Sequence, residues 1–385
     1  MDVGLLLLLV LFVAYSNGAN DNFKGVATLY GANVADYKKA LVVATVATFA
    51  GCVASVFVAD ALVQAFSGKG LVPDAVATSP TFVLAVATGA GATVMLAALL
   101  GFPISTTHSL TGALVGAGFV AGGSQINYDT LGTGFFLPLL ASPAISILMT
   151  MPLYKLAHLT AERLGITSQS CVCIAPGQFV PAVEFQLARA EANCCETSYV
   201  PSADSGAPDA FFSTGTAPAC VDKYEGRVLG ITAQSLVDTI HYLSAAAVSF
   251  ARGLNDAPKI VGLLLVVRAL DLKVSMLAVA IAMAIGGWLN ARRVALTMSK
   301  RISKMNDGQA LTANLVTAFM VIVASRVGVP VSTTHVSVGS IAGIGIVNKT
   351  ADLGVITGIA TSWLLTLPIA AAISAVAHIG YTVAL

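Results

Sequence analysis

Charge is scarce in this chain of 385 residues: Asp, Glu, Lys and Arg together make up 10% of it, against about 25% in ordinary soluble domains. That shortage excludes a typical soluble enzyme. Disorder is excluded by an excess, because 56% of the residues are hydrophobic and a disordered chain needs low hydrophobicity with high charge. Neither sign predominates. Twenty basic and nineteen acidic residues leave a net charge of +1, too little to draw in nucleic acid, so no nucleic-acid partner is expected. Aromatics are also few, at 7%, and the apolar runs are longer than the alternating strands of about 10 residues from which membrane barrels are built. Positive charge is missing at the start as well. Met1-Asp2-Val3-Gly4 precede the apolar stretch Leu5 to Val13, whereas the first segment of a secretory signal is basic, so no cleaved leader is expected.

What the chain does have is Ala, Val, Gly and Leu, with a mean hydropathy of +0.84. A membrane helix takes about 20 apolar residues. Runs of that kind lie near 3–34, 40–58, 82–100, 104–121 and 131–154, and again near 231–268, 274–291, 310–326, 331–347 and 353–380. The expected fold is an all-α polytopic membrane protein with five runs per half, about 10–12 membrane segments if the short runs are re-entrant hairpins. Three regions follow: a membrane repeat over 1–160, a polar insert over 161–229 that holds five of the six cysteines, and a second membrane repeat over 230–385.

The halves repeat in letters. Gly18-Ala19-Asn20-Asp21 with Lys24 returns as Gly253-Leu254-Asn255-Asp256 with Lys259, an offset of 235 residues. Pro103-Ile104-Ser105-Thr106-Thr107-His108 returns as Pro330-Val331-Ser332-Thr333-Thr334-His335, an offset of 227. Lys and Arg in short loops mark the cytoplasmic side, and the clusters are Lys38-Lys39 and Arg292, Arg293, Lys300, Arg301 and Lys304. Five crossings per half from an outside N-terminus place both clusters and the insert inside, and the C-terminus outside. An odd number of crossings also turns the second repeat upside down, the arrangement of many secondary transporters.

An Asn-Asp pair inside an apolar run is costly, because a charge at the bilayer centre costs about 2.5–3.5 kcal/mol on insertion scales. At 1.5 Å per residue the segment Asp2 to Ser16 covers about 22 Å, so Asn20 and Asp21 arrive while still within the membrane. Gly18 permits a helix break there. Freed carbonyls with Asp21 and the Asn20 amide oxygen then form an oxygen cage for a small cation, and Asn255 and Asp256 repeat it. Alternatively, both pairs are surface caps at helix ends. Pro103 and Pro330 stop a preceding helix, and Ser105 and Ser332 are natural N-caps of new half-helices. Such an N-terminus presents unpaired N–H groups to a tetrahedral oxyanion such as phosphate, with the hydroxyls of Ser105, Thr106, Thr107, Ser332, Thr333 and Thr334 as further donors. In the plainer reading these hydroxyls bond back to their own helices. His108 and His335 either orient a serine or move a proton, or simply bond across to a neighbouring helix. Lys24 and Lys259 either neutralise an anion or the adjacent Asp, or snorkel to the interface. Two carboxylates beside a phosphate repel it. Cations, sodium or protons on Asp21 and Asp256, must therefore enter with the anion.

These two motif pairs resemble the inorganic phosphate transporter family, and the resemblance covers both membrane halves. It implies an inverted-repeat helical transporter in the cell membrane, often a dimer, that imports phosphate with sodium or protons and needs no cofactor or enzymatic activity. By motif match, Asn20, Asp21, Asn255 and Asp256 take cation and anion roles, and the two Ser-Thr-Thr segments hold phosphate. Many members continue Val-Ala-Asn after Asn-Asp, whereas Asn22-Phe23-Lys24 and Ala257-Pro258-Lys259 follow here, an exchange of amide ligands for positive charge. A sulfate-transporting branch has a similar pattern. In the insert, Cys171, Cys173, Cys194, Cys195 and Cys220 match no standard zinc spacing, and a cytoplasmic insert is no place for disulfides; free thiols are the plain reading. Two other functions stand as alternatives: an intramembrane hydrolase with Ser105 or Ser332 beside its histidine, and a passive anion channel.

Overall fold

Apolar runs punctuated by Pro, Gly and Asp or Ser caps become the helices of this protein, and the punctuation decides where each one stops. The computed structural model describes residues 3–163, 170–175, 211–216, 233–266, 271–302 and 307–384. They fall into two units, Met1–Tyr154 with His241–Leu385, and Lys155–Ile240. The first half runs α1 (Val3–Asp21), a 3-10 turn (Lys24–Val26), α2 (Ala27–Gly31), α3 (Tyr37–Val58), α4 (Asp60–Ala65), α5 (Asp74–Ala77), α6 (Pro80–Leu100), α7 (Thr106–Gly122) and α8 (Leu137–Arg163). The second half runs α9 (Ala233–Val261), a 3-10 turn (Gly262–Val266), α10 (Leu272–Asn290), α11 (Arg292–Lys300), α12 (Asp307–Arg326), α13 (Thr333–Asn348) and α14 (Leu353–Ala384).

Each of the ten apolar runs is helical over most of its described residues. Seven spans among the described residues are long and apolar enough to cross a membrane: Val3–Gly31, Tyr37–Val58, Pro80–Leu100, Thr130–Thr160, Leu272–Asn290, Gly308–Arg326 and Leu353–Ala384. α7 and α13 have 17 and 16 residues, short of the about 20 that a crossing takes. The outward faces are apolar: Phe57, Leu364 and Val376 are 76%, 69% and 71% exposed, while Asn17, Asn20 and Asp21 are at most 1% exposed. Large apolar side chains outside and polar ones inside suit a hydrocarbon surrounding.

The two halves repeat in packing as well as in letters. A Cβ on Gly18 would stand 1.9 Å from the Met283 carbonyl oxygen, and one on Gly286 1.9 Å from that of Tyr15, so α1 and α10 cross backbone against backbone. α3 and α9 cross in the same way: a Cβ on Gly253 would meet the Thr48 oxygen at 2.1 Å and one on Gly51 the Phe250 oxygen at 2.0 Å. All four partners exchange by the 235-residue offset of the Asn-Asp motifs. Small residues at such crossings are the usual means of close helix association in lipid. The caps repeat too. The Asp36 carboxylate accepts from the Lys39 amide at 2.8 Å and starts α3, and Asp271 accepts from the Lys273 and Val274 amides at 2.8 and 3.1 Å and starts α10. The Lys39 amide bond holds the Asp36 carboxyl below the usual carboxylate range.

These crossings correct the expectation that Gly18 breaks its helix. α1 continues through Gly18 to Asp21, and α9 continues through Gly253, Asn255, Asp256 and Pro258 to Val261. The glycines serve close approach and not a break. The end of α1 lies at Asn22-Phe23, where Phe23 stacks on Tyr37 with ring centres 4.9 Å apart.

The insert unit contains one strand pair among its described residues. β1 (Ser170–Ala175) runs antiparallel to β2 (Phe211–Thr216), with Cys171 opposite Gly215 and Cys173 opposite Ser213. Cys194, Cys195 and Cys220 lie outside the described residues.

Gly18→Val forces a side chain into the Met283 carbonyl and should lower unfolding stability in detergent by about 3 kcal/mol or more. Gly358→Ala, whose Cβ meets nothing within 4 Å, should change it by less than about 1 kcal/mol. Equal denaturation midpoints for both variants would contradict the close crossing.

Candidate functional site

The two Ser-Thr-Thr segments meet in the centre of the membrane unit. Ser105 caps α7 by accepting from the His108 amide at 3.1 Å, and Ser332 caps α13 by accepting from the His335 amide at 3.2 Å. The remaining amides of each first turn have no partner within their own helix. The segments are joined by exchanged bonds: Thr107 Oγ1 donates to the Val331 carbonyl at 3.3 Å, and Thr334 Oγ1 donates to the Ile104 carbonyl at 2.9 Å. Thr107 and Thr334, like Ile104 and Val331, are equivalent positions of the 227-residue repeat. Thr333, the equivalent of Thr106, is also buried. Two half-helix N-termini, each with a partial positive charge, therefore converge.

Against them lies a buried polar cluster built by α1 and α9. Asn17 Nδ2 donates to Asp21 Oδ2 at 2.9 Å, to Thr106 Oγ1 at 3.0 Å and to Asp256 Oδ2 at 3.2 Å. Thr106 Oγ1 donates to Asp21 Oδ2 at 2.9 Å. Asn20 Nδ2 donates to the Phe102 carbonyl at 2.9 Å. Asn255 Nδ2 bonds Asp256 Oδ1 at 3.0 Å and the Val331 carbonyl at 3.2 Å, while its oxygen accepts from Ser325 at 3.2 Å. All the expected Asn, Asp, Ser and Thr residues are thus buried, and Asn20, Asp21, Thr106, Thr107, Asn255, Asp256 and Thr334 bond directly within the cluster. Neither Asn-Asp pair is a surface cap, since these four residues are at most 3% exposed; Asn20 and Asp21 end α1 in the interior, and Asn255 and Asp256 lie within α9.

The charge arrangement differs from the sequence expectation. Lys24 and Lys259 do not snorkel; they are 3% and 1% exposed. The Lys24 ammonium pairs with the Asp21 carboxylate and donates to Asn20 Oδ1 at 2.8 Å, the Ile104 carbonyl at 2.6 Å and Thr334 Oγ1 at 2.6 Å. Lys259 donates to Thr107 Oγ1 at 2.7 Å and to the Val331 carbonyl at 2.8 Å, with Asp256 Oδ1 at 3.8 Å. The carbonyls that face the cluster are those of the Pro-x-Ser loops and do not come from a broken Asn-Asp helix. Each carboxylate is therefore paired with cations of the chain itself.

A third cation was missed. Arg252 is 1% exposed; its guanidinium donates to Asn17 Oδ1 at 2.9 Å, Asn22 Oδ1 at 3.0 Å and Thr48 Oγ1 at 3.3 Å, and its Nε lies 3.7 Å from Asp256 Oδ2. Arg252 Nε has no hydrogen-bond partner. Asn17 and Arg252 are also equivalent by the 235-residue offset. Each sits four positions before its Asp, one turn away on the same helix face, and that spacing was the signal available in the sequence. The buried cluster thus holds three cations, Lys24, Arg252 and Lys259, and two carboxylates, Asp21 and Asp256.

The histidines form a layer behind the caps. His108 and His335 have ring centres 4.4 Å apart, and His335 stacks on Trp363 at 3.9 Å. His335 Nδ1 lies 3.1 Å from the Leu139 carbonyl, which fits the cross-helix reading. Among the described residues no cluster of three or more His, Cys, Asp or Glu could hold a metal ion.

Residues 17–374 match the phosphate transporter family. The chain belongs to that family. Among relatives of this phosphate transporter family member is a protein of Thermococcus kodakarensis named "Putative phosphate permease", 28% identical over 97% of both chains. One of the same name from Chlamydia trachomatis is 26% identical over 95% of both. A solved structure, "The sodium-dependent phosphate transporter", is similar with a TM-score of 0.75, 22% identity and 99% of each chain covered. It shares the fold.

Asp256→Asn leaves three buried cations with one carboxylate and should cost about 3–5 kcal/mol of stability. Adding Lys259→Met restores the balance and should recover at least half of the loss. Additive losses in a double-mutant cycle of detergent unfolding would show that these charges do not interact.

Proposed function

We propose that this member of the phosphate transporter family is a secondary active transporter that imports inorganic phosphate through the cell membrane, coupled to sodium or protons. The observation that carries this reading is the convergence of two half-helix N-termini on a buried cluster with one more cation than carboxylates. A tetrahedral oxyanion supplies the missing negative charge and accepts from hydroxyls and first-turn amides on both sides. Ser105, Thr106, Thr107, Ser332, Thr333, Thr334, Asn20 and Asn255 hold phosphate; Asp21 and Asp256, with Asn20 and Asn255, take the coupling cation; Lys24, Lys259 and Arg252 add attraction for the anion.

The membrane unit is read as two repeats inverted with respect to each other. The exchanged glycine, cap and threonine contacts support two equivalent halves, and the odd number of runs in each supports the inversion. Placement of Lys38, Lys39 and the Arg292–Arg301 stretch on the cytoplasmic side is supported by their sharing one corner of the bundle, where Lys300 Nζ donates to the Tyr30 carbonyl at 3.0 Å and Asn33 Oδ1 at 2.9 Å. The termini then face outward and the insert inward.

A hydrolase fits poorly. Ser105 and Ser332 accept from backbone amides as caps, and an imidazole that activates a nucleophile must reach its hydroxyl. Proteoliposomes with the purified protein should accumulate labelled phosphate under an imposed sodium or proton gradient, with excess sulfate a weak competitor. Thr107→Val with Thr334→Val removes the two exchanged bonds that join the Ser-Thr-Thr segments, each worth about 0.5–1.5 kcal/mol, and should reduce phosphate affinity about tenfold. Sulfate uptake in preference to phosphate, ester cleavage, or uptake indifferent to both gradients would contradict the reading.

A further inference from the structure

Two ammonium groups stand where the oxygen cages predicted from the Asn-Asp motifs would hold a free cation. Lys24 Nζ faces Asn20 Oδ1, an Asp21 carboxylate oxygen, the Ile104 carbonyl and Thr334 Oγ1. An ammonium has three protons to donate, so these four oxygens outnumber what it can serve one by one. Carboxylate, side-chain amide and backbone carbonyl are instead the donors that a hard spherical cation collects. The Thr334 hydroxyl proton is directed at the Ile104 carbonyl, at 2.9 Å, which leaves its lone pairs toward the positive charge. The other half keeps three of these four positions: Lys259 Nζ faces Thr107 Oγ1, the Val331 carbonyl and, at 3.8 Å, an Asp256 oxygen, and Thr107 directs its proton at Val331, while Asn255 Oδ1 accepts from Ser325.

Each cage also takes oxygens from both halves of the chain. Asn20, Asp21 and Ile104 come from the first and Thr334 from the second; Asp256 and Val331 come from the second and Thr107 from the first. A cation in either position therefore ties the two halves together and neutralises the carboxylate next to the anion. Both lysines do this permanently, on a side-chain tether, and leave no charge deficit for sodium to fill.

We propose that Lys24 and Lys259 are tethered cations occupying two sodium-type sites, so that phosphate binding and uptake by this protein need no sodium and coupling falls to protons. The proposal rests on the phosphate-transport reading above. Its test compares full-length wild type, Lys24→Ala and Lys259→Ala in two measurements. The first is uptake of labelled phosphate into proteoliposomes under a proton gradient, in sodium chloride against choline chloride at one pH. The second is thermal unfolding of the purified proteins in the same two salts. Wild type should show the same uptake and unfolding temperature in both salts. Each variant vacates a cage, so sodium should raise its unfolding temperature by mass action, and should raise uptake by any variant that still transports about tenfold or more. Wild-type uptake that collapses in choline would overturn the proposal, as would variants whose unfolding temperature ignores sodium. Absence of wild-type phosphate uptake in every salt and gradient would instead defeat the transport reading, with the unfolding measurement still deciding the cages.

Discussion

Burying charge away from bulk solvent is the constraint that organises this protein. Lys24 pairs with Asp21, Arg252 and Lys259 lie within 4 Å of Asp256, and Asn17 bridges the two carboxylates; each charge is at most 3% exposed, and an isolated ion in such surroundings costs several kcal/mol. The cluster persists only because every charge has an opposite neighbour and a shell of Asn, Thr and carbonyl partners. That requirement explains the backbone-to-backbone crossings of α1 with α10 and α3 with α9, which hold Asn17, Asp21, Arg252 and Asp256 at bonding distance. It explains the non-helical Pro-x-Ser loops as well, since the Ile104 and Val331 carbonyls would be consumed by hydrogen bonding inside a continuous helix.

The residual charge of +1 links structure to transport. On the proposed reading the site is incomplete until an anion enters, and the anion is held by groups contributed from both halves. Equivalent halves that exchange the same contacts can adopt two related arrangements, one open to each side, with the site fixed between them.

Much of this was legible in letters alone. The duplicated Asn-Asp and Pro-x-Ser-Thr-Thr-His segments located the central elements, and the cap roles of Ser105 and Ser332 followed from proline and serine chemistry. Other features depended on tertiary geometry. Gly18 was read as a break because glycine tolerates one, whereas the approach of Met283 from a distant helix gives it a different use. Lys24 and Lys259 allowed two readings because a long flexible side chain reaches either interface or interior, and only the packing of both halves decides between them. Arg252 and Asn17 escaped notice because neither belongs to a matching pair of letters, although they occupy equivalent positions. The strand pair of the insert gave no sign in a stretch dominated by polar residues, Pro and Gly.

The most direct measurement is a high-resolution density map of the protein in phosphate-containing buffer. The account predicts tetrahedral density within hydrogen-bonding distance of the Thr107 and Thr334 segments, beside Arg252 and both lysines. Phosphate density elsewhere in the membrane unit, with the space between the two segments filled by protein alone, would contradict it.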